Sequence, residues 1–370
     1  MLVTLLGILL ALYLLKILIF YTGARRADRI QTVSDHPAVS DHPAVSVLVA
    51  ARNEEQNIGR CIASLAALRY DGPLEIIVID DHSTDRTGEI IGEWMERVPH
   101  LRRMHTEGVV HGLRGKANAI AQAIERCQGG IIMTTDADCV VPPGWVEETV
   151  ARYDDRTGCV CGFTLIHPGS TFAGMQTLDW AYLMTIASAG VGWNYALSAV
   201  GNNMSFRRQA YEDVGGYQGV GFSVTEDFAL FKAIAYTTEW KVRYPVNPAA
   251  LVWSEPCADL TELFRQKKRW GRGGLDIPKL GFGIMSIGFL MNAAIILLPF
   301  FGIPLWAWIG ALAGKSLGDA FLLSLSLRKF RLLHLYRYFP IFELYYLIYV
   351  TVLPFAVLLG GRVVWKDRKL

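Results

Sequence analysis

Residues 45–55 read Val-Ser-Val-Leu-Val-Ala-Ala-Arg-Asn-Glu-Glu, an unbroken apolar run that ends in polar and acidic groups. A short continuous apolar run reads as a strand buried on both faces. The same pattern returns at 75–81, Glu-Ile-Ile-Val-Ile-Asp-Asp, and at 130–138, Gly-Ile-Ile-Met-Thr-Thr-Asp-Ala-Asp. Helical patterns lie at 57–68, 84–97 and 114–127, with Ser83 placed to cap the second. Strands alternating with helices predict a parallel α/β sheet. In such sheets ligands bind beyond the carboxyl ends of the strands. The polar residues at the end of each run, Asn53 and Glu54, Asp80 and Asp81, Asp136 and Asp138, fall at those ends.

Carboxylates gathered in one crevice repel each other unless a cation neutralises them. Mg²⁺ or Mn²⁺ suits all-oxygen ligands, and it stabilises a diphosphate leaving group as a Lewis acid. A lone Asp-x-Asp reads first as two acids of a surface loop; Asp80 and Asp81 at another strand end turn the reading toward a site. Arg114 and Lys116, in Gly-Leu-Arg-Gly-Lys-Ala-Asn-Ala at 112–119, open a helix whose N-terminus suits phosphate. Further on, Gly201-Asn202-Asn203 precedes a Gly215-Gly216 turn, and Thr225-Glu226-Asp227 opens the apparent helix Phe228–Ala235. Acids there read alone as helix N-terminal partners. Gln266-Lys267-Lys268-Arg269-Trp270, read alone, is a basic helix at a membrane interface.

The flanks differ in kind. Of the 370 residues 52% are hydrophobic and 19% charged, with mean hydropathy +0.28. Residues 1–21 hold one charge, Lys16, and residues 281–361 hold seven, so residues 22–280 keep a charge content close to that of soluble domains. Residues 2–21 are long enough to cross a bilayer, and Arg25, Arg26 and Arg29 come directly after them. The positive-inside rule places residue 22 onward in the cytoplasm. Crossings are expected near 283–303 and 305–326, joined by a turn at Phe301-Gly302-Ile303-Pro304, and 339–361 is a crossing or an interfacial segment. Lys315 and Asp319, four apart, read as an ion pair or as part of a substrate path. The expected domains are an anchor at 1–22, a linker at 23–44 that runs into the tandem Asp-His-Pro-Ala-Val-Ser copies (35–46), a cytoplasmic α/β domain at 45–280, membrane or interfacial helices at 281–361, and a basic tail at 362–370. A net charge of +2 excludes a strongly basic nucleic-acid binder. The six cysteines match neither a zinc site nor a disulfide framework.

In this order, Ala-Arg-Asn-Glu-Glu (51–55), Ile-Asp-Asp (79–81), Asp-Ala-Asp (136–138), Thr-Glu-Asp (225–227) and Gln-Lys-Lys-Arg-Trp (266–270) resemble the marks of the membrane-bound family 2 glycosyltransferases. The resemblance covers 45–275 and implies a GT-A fold, a Rossmann-like mixed sheet, flanked by transmembrane helices. It implies an inverting, metal-dependent transfer from a nucleotide-diphosphate sugar, UDP by family habit, with Mg²⁺ or Mn²⁺ as cofactor. Asp80, Asp81 and Glu54 would contact the nucleoside and Lys116 the nucleotide. Asp136 and Asp138 would sit at the metal, with Asp138 the more direct ligand. Asp227 would be the general base beside Glu226. Gln266, Arg269 and Trp270 would bound the acceptor and diphosphate, with Asn202 and Asn203 as polar contacts. Val364-Trp365-Lys366-Asp367-Arg368 is similar to the end of lipid and carotenoid glycosyltransferases, with Asp367 where those have Gly. A membrane lipid, isoprenoid or carotenoid is therefore the expected acceptor, at the plasma (inner) membrane. A small processive polysaccharide synthase is the alternative, since the Gln-x-x-Arg-Trp box occurs there too. A non-catalytic sugar-nucleotide-binding subunit would lack the base or the Asp-x-Asp, and both are here.

Overall fold

The computed structural model describes residues 1–30, 42–110, 112–221, 223–276, 279–359, 364–365 and 368–369. Residues 31–41, with most of the Asp-His-Pro-Ala-Val-Ser repeat, lie outside the described residues, as do Arg362, Lys366 and Asp367 of the basic tail. The strands are β1 (Val45–Ala51), β2 (Leu74–Asp80), β3 (Leu101–His105), β4 (Ile131–Asp136), β5 (Thr157–Cys161), β6 (Thr164–Ile166), β7 (Met204–Arg207), β8 (Lys241–Arg243), β9 (Val252–Ser254), β10 (Val364–Trp365) and β11 (Arg368–Lys369). The helices are α1 (Leu2–Ile30), α2 (Ile58–Ala66), α3 (Thr87–Met95), α4 (Gly115–Arg126), α5 (Trp145–Val150), α6 (Thr171–Gly192), α7 (Arg208–Asp213), α8 (Gly216–Val220), α9 (Glu226–Thr237), α10 (Leu260–Gly273), α11 (Lys279–Leu297), α12 (Leu305–Lys329) and α13 (Phe339–Leu359). They form two compact units, one of residues 27–165 and 199–255, the other of 1–26, 166–198 and 256–370.

The first unit is built on a seven-stranded mixed sheet of order β3-β2-β1-β4-β7-β5-β8. The first four strands are parallel, as the apolar runs predict, and β7 reverses direction against β4. Val47, Val49, Ile76, Val78, Ile131 and Met133 pack with Ile58, Ile62, Leu65 and Ile91 of the covering helices. Each such side chain contributes about 1.5–3 kcal/mol by leaving water. The register decides the site: Ala51 pairs with Asp80 on one side of β1, and Ala50 pairs with Asp136 on the other. Strands pair about 4.8 Å apart, so the two acids end their strands about 10 Å apart across β1, one residue out of step and so on opposite faces of the pleat.

The second unit is helical and larger than expected, because residues 166–198 and 256–280 join the terminal helices. The reason lies in α6. It is buried nearly all round, from Ala173 to Gly192, and so carries no one-sided apolar stripe to announce it. Thr185 on α6 donates to Ser326 on α12 at 3.0 Å. The sequence also predicts an anchor that stops at 22, whereas α1 continues through the basic residues to Ile30.

The Lys315–Asp319 pair forms at 2.8 Å, and Lys315 also reaches Glu343 at 2.7 Å. Tyr13 and Tyr182 both donate to Asp319 Oδ1 at 2.6 Å. Burial of these charges is tolerable because each is paired. Among the described residues three helical stretches are long and apolar enough to cross a membrane, Leu2–Arg29, Gly281–Phe301 and Leu333–Leu359. The expected crossing at 305–326 is not among them. It is helical within α12, but Lys315 and Asp319 lower its hydropathy. The turn before it stands as predicted, with Gly302 at φ +73°.

Candidate active site

The loops after β1 and β2 are laced together. Asn53 N donates to Ser83 Oγ at 3.1 Å, and Thr84 N donates to Asn53 Oδ1 at 2.8 Å. Glu54 N donates to Thr87 Oγ1 at 2.8 Å, and Arg86 N donates to Glu55 Oε2 at 3.1 Å. These bonds hold Asn53 and His82 in the left-handed region at φ +52° and +57°, which non-glycine residues seldom adopt. Ser83 is thus not the expected helix cap. Arg86 occupies that position, and Ser83 Oγ serves the neighbouring loop instead.

Asp80 is 3% exposed and accepts from Ser83 N at 3.0 Å and from Arg103 at 2.6 Å. Burial works to raise its pKa, but the Ser83 bonds and the Arg103 guanidinium outweigh it and hold the carboxyl below the usual range. Asp81, also buried, accepts from Thr106 Oγ1 at 3.0 Å, while its own N–H donates to Ala51 O at 2.8 Å. Glu54 accepts from Asn57 Nδ2 at 3.0 Å. Arg103 and Thr106 are not foreseen from the sequence. Arg103 lies on β3, whose Leu-Arg-Arg-Met-His reads as no strand at all because it is a half-exposed edge.

Asp136 ends β4 and is half-exposed; Lys116, on the first turn of α4, pairs with it. Burial opposes the Lys116 charge, yet the Asp136, Glu226 and Asp227 carboxylates together raise its pKa above the ordinary lysine value. Asp138 accepts from Ser254 Oγ of β9 at 3.3 Å. Cys61 reports the crowding of acids: burial, then Asp138, Asp136 and Glu54, push its thiol pKa up.

Asp227 reaches this cluster through the 201–203 turn. Gly201 N donates to Asp227 Oδ2 at 2.6 Å, and Thr134 Oγ1 on β4 donates to Gly201 O at 2.7 Å. A Cβ built on Gly201 would lie 2.9 Å from Asp227 Cβ and 3.3 Å from Lys116 Nζ, so glycine is what allows this approach. The two asparagines hold the turn from beneath. Asn202, 2% exposed, accepts from Thr164 Oγ1 at 2.9 Å, and Asn203 donates to Phe163 O and Ala250 O at 2.9 and 3.0 Å. Their side chains are bonded into the framework of the turn, at the positions the sequence reading gives as polar contacts to donor or acceptor.

The α/β unit thus brings Glu54, Asp80, Asp81, Lys116, Asp136, Asp138, Asn202, Glu226 and Asp227 to the ends of adjacent strands. Among the described residues no three His, Cys, Asp or Glu side chains are placed to hold a metal. The Asp136 and Asp138 pair still fits Mg²⁺ or Mn²⁺ of the kind that takes one or two carboxylates and completes its shell with substrate phosphate and water. Gln266, Arg269 and Trp270 belong to the helical unit, on α10. Gln266 Oε1 is buried with no hydrogen-bond partner among the described residues. Gly271 beside them lets α10 approach α13, since a Cβ there would meet Val357 Cγ2 at 2.8 Å.

A sheet of this topology with acids at its carboxyl edge defines the GT-A class. Residues 46–215 match the family model Glycosyl transferase family 2, and residues 131–361 match Glycosyl transferase family group 2. The chain belongs to the family 2 glycosyltransferases. It is 30% identical over 238 residues to the "Probable glycosyltransferase YdaM" of Bacillus subtilis, over 62% of this chain and 54% of that protein. It is 29% identical over 242 residues to the beta-monoglucosyldiacylglycerol synthase of Synechocystis, over 62% and 47%. It is 28% identical over 235 residues to the poly-beta-1,6-N-acetyl-D-glucosamine synthase of Staphylococcus aureus, over 62% and 54%. The chain spans about half the length of these curated relatives. Its fold is similar to that of the mannosyltransferase PcManGT from Pyrobaculum calidifontis, solved with GDP-Man and Mn²⁺, at TM-score 0.60 and 21% identity over 97% of this chain and 99% of that one.

Proposed function

We propose that this chain is an inverting, divalent-metal-dependent glycosyltransferase. It moves a sugar from a nucleotide-diphosphate donor, a UDP-sugar first of all, to a hydroxyl of a membrane lipid, isoprenoid or carotenoid. One observation carries the reading: the Asp227 carboxylate is held by Gly201 N–H, on the turn that also stands beside Lys116, the partner of Asp136. A base and a leaving-group site then face a common centre, the arrangement that in-line displacement requires.

Asp227 takes the proton of the acceptor hydroxyl as its oxygen bonds to the anomeric carbon. The bond from that carbon to the diphosphate breaks, and the electron pair leaves with the diphosphate. Asp138 and Asp136 would hold the divalent ion, which would supply charge neutralisation at the departing diphosphate. Lys116 adds a second cation to that end. Glu54, Asp80 and Asp81 form the nucleoside side, with Arg103 keeping Asp80 ionised and fixed. By their resemblance to the family's Gln-x-x-Arg-Trp box, Gln266, Arg269 and Trp270 of the helical unit would bound the acceptor.

The lipid acceptor is supported by the packing of α10, which carries these last residues, on α13, part of the apolar stretch Leu333–Leu359. It is also supported by likeness to a monoglucosyldiacylglycerol synthase. The Mn²⁺ in the mannosyltransferase neighbour supports the metal. Arg25, Arg26 and Arg29 after the first apolar stretch support a cytoplasmic α/β unit at the inner membrane. Likeness to the poly-N-acetylglucosamine synthase favours a second reading, a processive synthase.

The test uses the full chain in nanodiscs with Mn²⁺ or Mg²⁺, labelled UDP- and GDP-sugars, and a lipid extract of the source organism. The expected product is a lipid one sugar heavier, of inverted anomeric configuration and lost with EDTA. A ladder of chain lengths supports the second reading. Full activity on a water-soluble sugar acceptor without lipid overturns the lipid assignment.

A further inference from the structure

We infer that the buried Asp179–Lys267 ion pair is the positioning device that fixes the Gln266-x-x-Arg269-Trp270 face of α10. This rests on the proposed role of that face in transfer. Lys267 is one of the two variable residues inside the box, and Asp179 belongs to no motif of the sequence. Yet the Lys267 side chain is among the most deeply buried in the chain at 2% exposure, against 5% for Asp179 on α6.

The ammonium is encircled. It pairs with Asp179, and it lies 4.3 Å from the centre of the Trp270 ring and 5.5 Å from that of Tyr349 on α13. Lys267 and Trp270 are three residues apart and so share one side of α10. Trp180, next to Asp179 on α6, meets Trp270 edge to face at 5.1 Å. Trp270 is therefore held between the Lys267 cation and the Trp180 ring of α6. Tyr345 stacks on Tyr349 at 5.3 Å, so the ring that faces the cation from α13 is itself supported.

A buried ion pair is no better for stability than well-packed apolar residues of the same shape. A methionine at 267 would fill this space without the desolvation penalty. What the pair adds is direction. It binds one atom of α10 to one atom of α6, and so fixes the rotation of α10 about its axis, which a greasy contact does not. Rotation of α10 would swing Gln266, Arg269 and Trp270 together. A displacement of about 1 Å at such groups costs on the order of a hundredfold in rate.

The experiment compares Lys267→Met, Lys267→Met with Asp179→Asn, and Arg269→Ala, each as full chain in nanodiscs. Lys267→Met leaves the Asp179 carboxylate buried and unpaired, so both thermal stability and kcat should fall. The double variant removes both charges; its unfolding temperature should return to within a few degrees of the parent. Its kcat should stay about 10–100-fold low, with the donor dissociation constant within about twofold of the parent. Recovery of kcat in the double variant to within threefold shows a purely structural pair and overturns the inference, as does unchanged kcat in Lys267→Met. If Arg269→Ala transfers at the parental rate, the assignment of the α10 face itself fails. If Arg269→Ala is inactive and the double variant is not, only the positioning role fails.

Discussion

Replacing Lys116 by methionine removes one cation from three carboxylates and shortens the unbranched side chain by one atom. At an effective dielectric of about 20, two unit charges about 4 Å apart interact by about 4 kcal/mol. Desolvation of the ammonium cancels much of this, and Asp136 is 38% exposed, so water recovers part of what the carboxylates lose. A net destabilisation of about 1–2 kcal/mol remains, a fall of roughly 2–8 °C in unfolding temperature for a domain of this size. Donor affinity should fall further, because in the proposed site the lost charge would also face the diphosphate. A weakening of about 10–100-fold is expected, equal to about 1.4–2.8 kcal/mol. Isothermal titration of the nanodisc-embedded chain with UDP-sugar and Mn²⁺ reads the second effect, and thermal unfolding reads the first. Parental donor affinity in Lys116→Met, with an unfolding temperature within a degree, would refute the cation's place between Asp136 and Asp227.

Arg103→Met tests the nucleoside side through pH. The folded pKa of Asp80 is depressed, so its contribution is complete above the unfolded value near 3.9 and is lost as pH falls through the folded value. Without Arg103 the folded value rises, so acid unfolding should begin at higher pH, with about 2 kcal/mol less stability at neutral pH. Gly201→Ala places a methyl 2.9 Å from Asp227 Cβ and must displace the base; kcat should fall about 10–100-fold with donor affinity within threefold. Lys315→Met leaves Asp319 and Glu343 buried without their cation and should cost about 3–5 kcal/mol, read as early thermal unfolding and protease sensitivity in the membrane.

The parallel half of the sheet is legible because β1, β2 and β4 are buried on both faces and so read as unbroken apolar runs. The acids stand out because they interrupt those runs at one end. β3, β7 and β8 are not legible: they are short and carry charged residues. The helix α6 hides for the opposite reason, since burial on all sides erases periodicity. In the sequence Asp227 as a base comes from resemblance, since an acid at a helix start is ordinary; in the structure the Gly201 contact and the neighbouring Lys116 join it to β4. The Asp179–Lys267 pair is beyond reach because its partners lie on helices far apart in the chain, and charges inside apolar surroundings leave no local pattern.

The most direct measurement of the central claim is Asp227→Asn in the full chain, in nanodiscs, with donor binding and transfer measured on the same preparation. The amide keeps the shape and can still accept from Gly201 N–H, but it cannot take a proton. The account predicts a donor dissociation constant within about threefold of the parent and transfer reduced by about 10²–10⁴-fold. Transfer at the parental rate by that variant would contradict it.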